Sequence, residues 1–431
     1  MHYCKRQAHG FSYNPCMDNF SHALSGLVAA ELVHRSLPHE NEVQSQTRRR
    51  RLLLATGILA ASFPDLDLVL TPLLPEPLGY LLHHRGHTHT FLYAIPQALL
   101  IAALLLLPWP AARRLLAQSR AARAGFCLTL VAGLALHIGM DYLNSYGVHP
   151  FHPLDSRWFY GDMIFIIEPV FWVALGTPLF ISLKRKWIGW ALIAVILAVT
   201  GYFTNAGFMD ERSFVFLAGL AAVLVVVHYS TDPRGIGGLL AGCAACLIFI
   251  GVQAVASAAG YRMVEDMLKA RTSGTTVLDI AMTPYPANPV CWNFASIEYA
   301  GDEYQVSRGV LSVMPDTLPA AACPSSFAQV PGGLRDDYNA ATVLTTHRGE
   351  LASLHALYDE DCFFRAWTRF ARIPVHEQSR AWDLRFARNG DNFTLIDLDR
   401  MSRHECPARQ PQWDRPRKDL LEEIRNPATQ E

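Results

Sequence analysis

Seven stretches of almost unbroken apolar residues constrain this chain more than any other feature. They lie at about 52–74, 91–109, 125–143, 164–183, 187–204, 213–229 and 236–260. Each approaches the roughly 20 residues with which a helix crosses a bilayer. In lipid, backbone polar groups must be satisfied internally, so continuous apolar runs of this length read as helices. Pro64, Pro96, Pro169 and Pro178 fall inside these stretches, and membrane helices tolerate proline better than soluble ones. Residues 20–37 read as one more helix, too polar for a clear span. The expectation is a polytopic, mainly α bundle of about seven or eight helices, covering residues 17–260.

Basic residues alternate along this pattern. Arg48–Arg51 precede the first strong span, and Arg113, Arg114, Arg120 and Arg123 lie between the second and third. Lys184, Arg185 and Lys186 follow the fourth, and Arg234 follows the sixth. If every segment crosses, all these clusters share one side, and the positive-inside rule makes that side cytoplasmic. Loops 75–90, 144–163 and 205–212 then face outward, together with everything after Gly260.

After Gly260 the composition changes. Residues 261–415 read as a small β-rich (α+β) extracytoplasmic domain. CWNFASIEYAGDEYQVSRGVL, with aromatic and β-branched residues on both sides of AGDE, reads as a hairpin. WDLRFARNGDNFTLIDLD reads as a second, turning at Asn389-Gly390. MTPYPANPV reads as a proline-rich connector. Cys291, Cys323, Cys362 and Cys406 are even in number and allow three pairings. Cys127, Cys243 and Cys246 lie in apolar segments, where they act as small packing residues. Residues 1–16 read as a polar leader or a misassigned start, with Met17 an alternative initiator, and 416–431 as a charged, disordered tail. The net charge of −1 gives no basic surface of the kind nucleic acids need.

Within this frame LLHHRGHTHTF stands out, with His83, His84, His87, His89 and Arg85 between two apolar stretches. Neutral imidazole is the commonest protein metal ligand. The plain alternative is a hydrated loop that happens to be rich in histidine. A metal site makes a demand on the other segments, because its remaining ligands must reach the same level. His22 lies at the outer end of the first helix. Asp65 comes 13 residues after Leu52, so roughly 20 Å up a helix that starts inside. Asp67 follows it. His137 and Asp141 end the third strong span and are four residues apart, on one helix face. That spacing suits joint ligation, a carboxylate that orients a ligating histidine, or a simple buried His–Asp bond. Glu168 opens the next span on the outer side. A carboxylate inside a span costs about 2.5–3.5 kcal/mol, so Asp65 and Asp67 call for a cavity or partner. Asn144, His149, His152, Asp155 and Asp162 populate the next outer loop and rank lower.

FSHALSG with His22 and Gly26, PDLD with Asp65 and Asp67, and HRGHTHT with His84, Arg85, Gly86, Thr88 and His89 come in that order. HIGMDYLNSYG with His137, Asp141, Asn144 and Gly147 follows, then IIEP with Glu168 and Pro169. Together these motifs resemble the YdjM-like family of predicted membrane-bound metal-dependent hydrolases, over about residues 17–180. Each motif is weak alone, and the ordered set is specific. Glu168 stands where the family pattern often has Asp, and His87 lies outside the pattern. The resemblance implies a metal-dependent hydrolase and leaves the C-terminal domain unexplained.

The expected ligands are His22, Asp65, His84, His89, His137 and Asp141. This is more than one tetrahedral ion holds, so two ions bind or some of these residues act from outside the coordination sphere. Zinc is the expected metal, since histidine and carboxylate suit it. Asp67 or Glu168 would act as general base, and Arg85 would stabilise developing negative charge. Location at the outer membrane face suggests a lipid or phosphate ester as substrate. No zinc-protease HExxH and no GxSxG elbow occurs. The rival class is a non-catalytic metal-binding membrane scaffold or transporter that presents the C-terminal domain. Transport is disfavoured by the few ionisable residues in the inner halves of the spans.

Overall fold

The computed structural model describes residues 19–232, 235–271, 274–324, 336–337 (as backbone), 340–386 and 392–424. Residues 1–16, Met17 and the Asn389-Gly390 turn lie outside the described residues. Ten helices come first: α1 Asn19–Ser36, α2 Val43–Ser62, α3 Leu78–His83, α4 Phe91–Leu106, α5 Pro110–Gln118, α6 Arg120–Tyr142, α7 Pro169–Ile181, α8 Lys186–Asn205, α9 Glu211–Ser230 and α10 Gly237–Arg271. Five segments among the described residues are long and apolar enough to cross a membrane: 43–73, α6, α8, α9 and α10. A sixth counts if 78–89 and α4, bent 78° apart, form one broken span.

Of the expected seven or eight helices, two are not long and apolar enough to be counted as spans by themselves, for two physical reasons. The first helix is polar, with Glu31, His34 and Arg35 in its last turns. α7 has only 13 residues, because Glu168 caps it and Pro169 starts it. The residues before it are not helical: Ile164 and Phe165 are buried, Phe165 among side chains of the C-terminal domain.

Small residues set the closest helix contacts. Gly26 of α1 and Gly57 of α2 face each other so tightly that a Cβ on either would sit 2.1–2.2 Å from the other's carbonyl oxygen. Gly133 of α6 lies against Ala60 in the same way. A second group forms around α7, with Gly242 of α10 against the carbonyl of Ala174. The two ends of the bundle differ. At one end Arg35 reaches the Gly235 carbonyl, Arg49 pairs with Glu40, Ser119 also bonds Glu40, and Arg50 pairs with Glu31. At the other end, loops 143–168 and 206–210 meet the C-terminal domain. The basic clusters and the ionisable motifs thus occupy opposite ends, as their alternation implies.

α10 is 35 residues long and runs into the C-terminal domain. That domain contains a five-stranded antiparallel sheet in the order β1-β2-β3-β5-β4, with β1 Thr276–Tyr285, β2 Asn288–Ala300, β3 Glu303–Ser312, β4 Asp336–Asp337 and β5 Ala341–Glu350. The first expected hairpin is β2–β3, with Ala300 opposite Glu303 and Gly301 at φ +60 in the turn. MTPYPANPV is not a connector but the β1–β2 hairpin itself. Pro284 is tolerated because β1 is an edge strand with a register shift at Pro284/Tyr285, Pro286 lies in the turn, and Pro289 stands at the start of β2. A small sheet holds β6 Pro374–Glu377, β7 Arg380–Asp383 and β8 Ile396–Asp397. β7 and β8 pair at Arg380–Asp397 and Ala381–Ile396, with the β7 residues just before the expected hairpin, whose first arm turns into a 3-10 helix at Leu384–Phe386.

The fold continues past the expected boundary at 415, since Leu420 and Leu421 are buried in the largest core. The physical reason is that this short apolar pair sits in a charged stretch that composition alone reads as solvated. The same core takes Leu78, Leu81, Leu82, Tyr146 and Trp158 from the membrane part. Cys291–Cys323 and Cys362–Cys406 are disulfides.

Candidate metal centre

The ends of α2 and α6 and the loop between α3 and α4 bring Asp65, His89, His137 and Asp141 together. One ligand atom from each lies within 4.8 Å of all the others. His89 Nε2 is 3.0 Å from His137 Nε2, and both approach Asp141 Oδ2, at 2.9 and 3.3 Å. Asp65 Oδ1 completes the group at 3.5 and 3.6 Å from the same two nitrogens.

The outer bonds of the two imidazoles decide what these nitrogens are. His137 Nδ1 lies 2.7 Å from the carbonyl of Ala61, to which it can only donate. His89 Nδ1 faces Asp67 Oδ2 at 3.3 Å and Thr88 Oγ1 at 3.0 Å. With each Nδ1 carrying the proton, both Nε2 atoms present lone pairs to one point. Two lone pairs and two carboxylate oxygens that converge in a buried site repel one another unless a cation lies between them. The donor set therefore fits a metal ion, and the carbonyl and carboxylate behind the imidazoles are the supports that metal-ligating histidines use.

The other expected residues fall into distinct places. His22 Nε2 lies 3.3 Å from Asp141 Oδ1, and its ring stacks on His137 at 4.0 Å. Arg85 Nη2 is 2.7 Å from that same Oδ1, and its Nη1 donates to Asn144 Oδ1 at 2.9 Å. Asp141 thus turns one oxygen to the group of four and the other to two cationic or polar partners. Arg85 holds this position with φ at +56, in the left-handed region. His84 is not brought into the group of four, because its Nδ1 pairs with Asp67 Oδ1 at 3.0 Å and its ring stacks on Tyr80. Asp67 also accepts from the Arg85 backbone and from Thr88 Oγ1, at 2.9 and 2.8 Å. With those bonds made, Asp67 holds the histidine loop in place. Glu168 serves elsewhere: its Oε1 accepts from the backbone of Val170 and of Ala287, tying α7 to the β1–β2 turn.

Sequence reasoning missed the C-terminal contribution. Trp413 Nε1 donates to the Leu82 carbonyl at 2.8 Å, and its ring stacks on His149 at 3.9 Å. A Cβ on Gly86 would meet Trp413 at 3.0 Å. Burial pushes His149 down to about 3, so it stays neutral in this stack. Further out, Arg372 of the C-terminal domain pairs with Asp162 and Asp279, both at 2.8 Å. Burial alone would raise Asp279, but the Arg372 guanidinium outweighs it and holds the carboxyl at about 2. No local motif signals these contacts, since the partners are up to 331 residues apart.

A helical membrane protein with a buried His–Asp cluster that could hold a metal ion at one end of its bundle is the class these features define. Residues 17–209 match the model of the YdjM inner membrane protein family, the family that the motifs resemble. An uncharacterized protein, YfhP, of Bacillus subtilis (strain 168) is 25% identical over 193 residues. That match covers 42% of this chain and 54% of the relative, so the chain spans about half the length of the curated protein it matches. No solved structure matches. The chain is accordingly an integral membrane protein, and its membrane part is similar to the YdjM family.

Proposed function

We propose that the protein is a metal-dependent hydrolase that acts at the outer face of the membrane, with zinc as the metal and a lipid or phosphate ester as substrate. The convergence of two imidazole lone pairs and two carboxylates in one buried spot carries this reading. Two nitrogens and two oxygens suit zinc. When bound, such an ion supplies Lewis-acid activation of water and of the ester. Hydrolysis then adds the water's hydroxyl to the acyl carbon or phosphorus and passes its proton to the departing alcohol.

The chain's own groups have separable roles in this scheme. His89, His137 and Asp141 are fixed by bonds behind them and hold the ion. Asp65 is the ligand with the longest contacts and the fewest restraints, so it can yield a coordination position or take a proton. Arg85 and His22 neutralise Asp141 and keep it aimed. The two disulfides and the side opposite the basic clusters support an extracytoplasmic C-terminal domain.

One observation favours the scaffold reading instead: four protein ligands are the number that closes a structural zinc site. Elemental analysis of purified protein tests the centre. His89→Ala and Asp65→Ala should each lose most of the metal, while His87→Ala, whose ring packs on Trp413, should keep it. Full metal in the first two variants would remove the ligand assignment. Metal without hydrolysis of any lipid ester or phosphoester would leave the scaffold.

A further inference from the structure

The centre's position relative to the bilayer and to the C-terminal domain limits how anything can reach it. The apolar part of α2 begins at Leu52, after Arg48–Arg51, so Asp65, just beyond its far end, stands roughly 20 Å from its basic end. His137 and Asp141 lie 17 and 21 residues into α6, or roughly 26 and 32 Å from its basic end. Two helices that start at the same basic end therefore put the centre in the outer part of the hydrocarbon, close to the level where lipids carry their ester groups.

From above, the approach is covered. Tyr146 and Trp158 are buried in a core shared with Phe370, Phe364 and Trp367 of the C-terminal domain. Arg385 donates to the carbonyls of Ser145 and Tyr146, Trp158 Nε1 donates to Arg369, and Trp413 sits over Gly86. From inside, α1, α2 and α6 close on one another through Gly26, Gly57 and Gly133.

The side remains. Three of the ligands have side chains 0–1% exposed, and Asp65 is 11% exposed. An incoming molecule must meet the ion where a ligand is accessible, so it arrives past Asp65. The chain on that flank is apolar and open: Leu66 is 53% exposed, Val69 73% and Leu73 69%. Phe91 and Leu92, which begin α4 just after His89, are exposed as well. Apolar surface this dense at the hydrocarbon boundary is solvated by lipid tails.

We propose that access to the centre is lateral, from the bilayer past Asp65, and that the substrate is a tailed membrane lipid, cleaved at an ester or phosphoester at headgroup level. The substrate part rests on the hydrolase reading, and the access part does not.

Two chelators with the same binding head separate the routes. Zinc-loaded protein in nanodiscs is exposed to 1,10-phenanthroline, which enters membranes, and to disulfonated bathophenanthroline, which does not. The expected result is zinc release by the first at least about 50-fold faster, given the cost of carrying charge into hydrocarbon. Equal rates, or release by neither, overturn lateral access. A protein that holds no zinc before chelation fails at the metal centre itself. Leu66→Asp with Val69→Asp, outside the ligand set, should slow phenanthroline stripping and leave zinc content unchanged. A second arm offers long-chain phosphatidylglycerol in the nanodisc and its water-soluble dibutyryl analogue below aggregation, with products read by mass spectrometry. Cleavage of the long-chain lipid alone supports the substrate class, and the position cut distinguishes carboxylic ester from phosphoester. Equal cleavage of the soluble analogue overturns it. Cleavage of neither, with zinc bound, counts against the hydrolase reading, while the chelator contrast still decides the route.

Discussion

Gly26→Ala should weaken metal binding, although Gly26 touches no ligand. A Cβ there would lie 2.1 Å from the Gly57 carbonyl oxygen and 2.7 Å from the Ala61 Cβ. Relief of that overlap requires α1 and α2 to separate by about 1 Å, and overpacking of this kind costs about 1–3 kcal/mol. The separation acts on the centre twice. His22, one turn before Gly26, is already 3.3 Å from Asp141 and would pass out of bonding reach. Ala61, whose carbonyl fixes His137 Nδ1 at 2.7 Å, lies directly on the displaced surface. Loss of such outer supports lowers metal affinity about 10–100-fold. Zinc competition against a chromophoric chelator reads the affinity, and circular dichroism confirms that the helices remain. Gly57→Ala should reproduce the effect, since its Cβ would lie 2.2 Å from the Gly26 oxygen. Gly139→Ala, two residues from His137 but with open space around it, should have none. Wild-type affinity in Gly26→Ala, or an equal loss in Gly139→Ala, would refute the coupling.

Three further outcomes are expected. Arg372→Met leaves the half-buried Asp162 and Asp279 without their shared partner, with Arg417 still beside Asp279, and should destabilise the protein by about 1–3 kcal/mol in denaturant unfolding; a change below about 0.5 kcal/mol would mean that water already serves both carboxylates. His149 titrates at about 3 when folded and near 6.5 when unfolded, so the unfolded chain binds more protons between those values. Stability should therefore fall on acidification below pH 6.5, by up to about 1.4 kcal/mol per unit from this group; His149→Phe should flatten that slope in thermal unfolding, and an unchanged slope would assign it to other groups. Thiol labelling of the unfolded, non-reduced protein should find at most five of the nine cysteines free, because four are bonded; more than five would show that a pair is open.

What could be read from the sequence depended on whether the signal was local. Long apolar runs mark their own helices, so α6, α8 and α9 fall where composition places them, whereas α2 starts earlier and gives way to a 3-10 helix over Pro64–Leu73, and α10 runs on past Gly260. Asp65, His89, His137 and Asp141 were legible because charge inside an apolar segment is expensive, which makes each an anomaly within its own neighbourhood. Topology then put the anomalies at one level. Whether a residue faces the ion or stands behind another ligand is a matter of rotamer and register. His84 and His89 are alike in sequence and both reach Asp67, and only the turn with Arg85 at positive φ brings His89 Nε2, and not His84, into the group of four. MTPYPANPV reads as a connector because proline disfavours strands, and nothing local shows that β1 lies at a sheet edge. Trp413 was invisible, since its partners are hundreds of residues away.

Trp413 also bears on why one chain carries both parts. The histidine loop holds an arginine at φ +56 and a glycine with no room for a side chain, neither of which a free loop would prefer. Two restraints offset this. Asp67 binds the loop from the membrane side, through His84, the Arg85 backbone and Thr88. Trp413 binds it from the other side, through Leu82 and Gly86. Trp413 is in turn held by the chain around it, with its carbonyl bonded to Arg369 and the backbone of Asp414 bonded to Ser156. The Cys362–Cys406 bridge fastens the segment just before it. The conformation that aims His89 at Asp65, His137 and Asp141 is thus set jointly by Asp67, just after α2, and by the C-terminal domain. A membrane part alone would keep all four ligands and lose half of what orients the loop between them, so the domain belongs to the construction of the centre rather than standing as cargo above it.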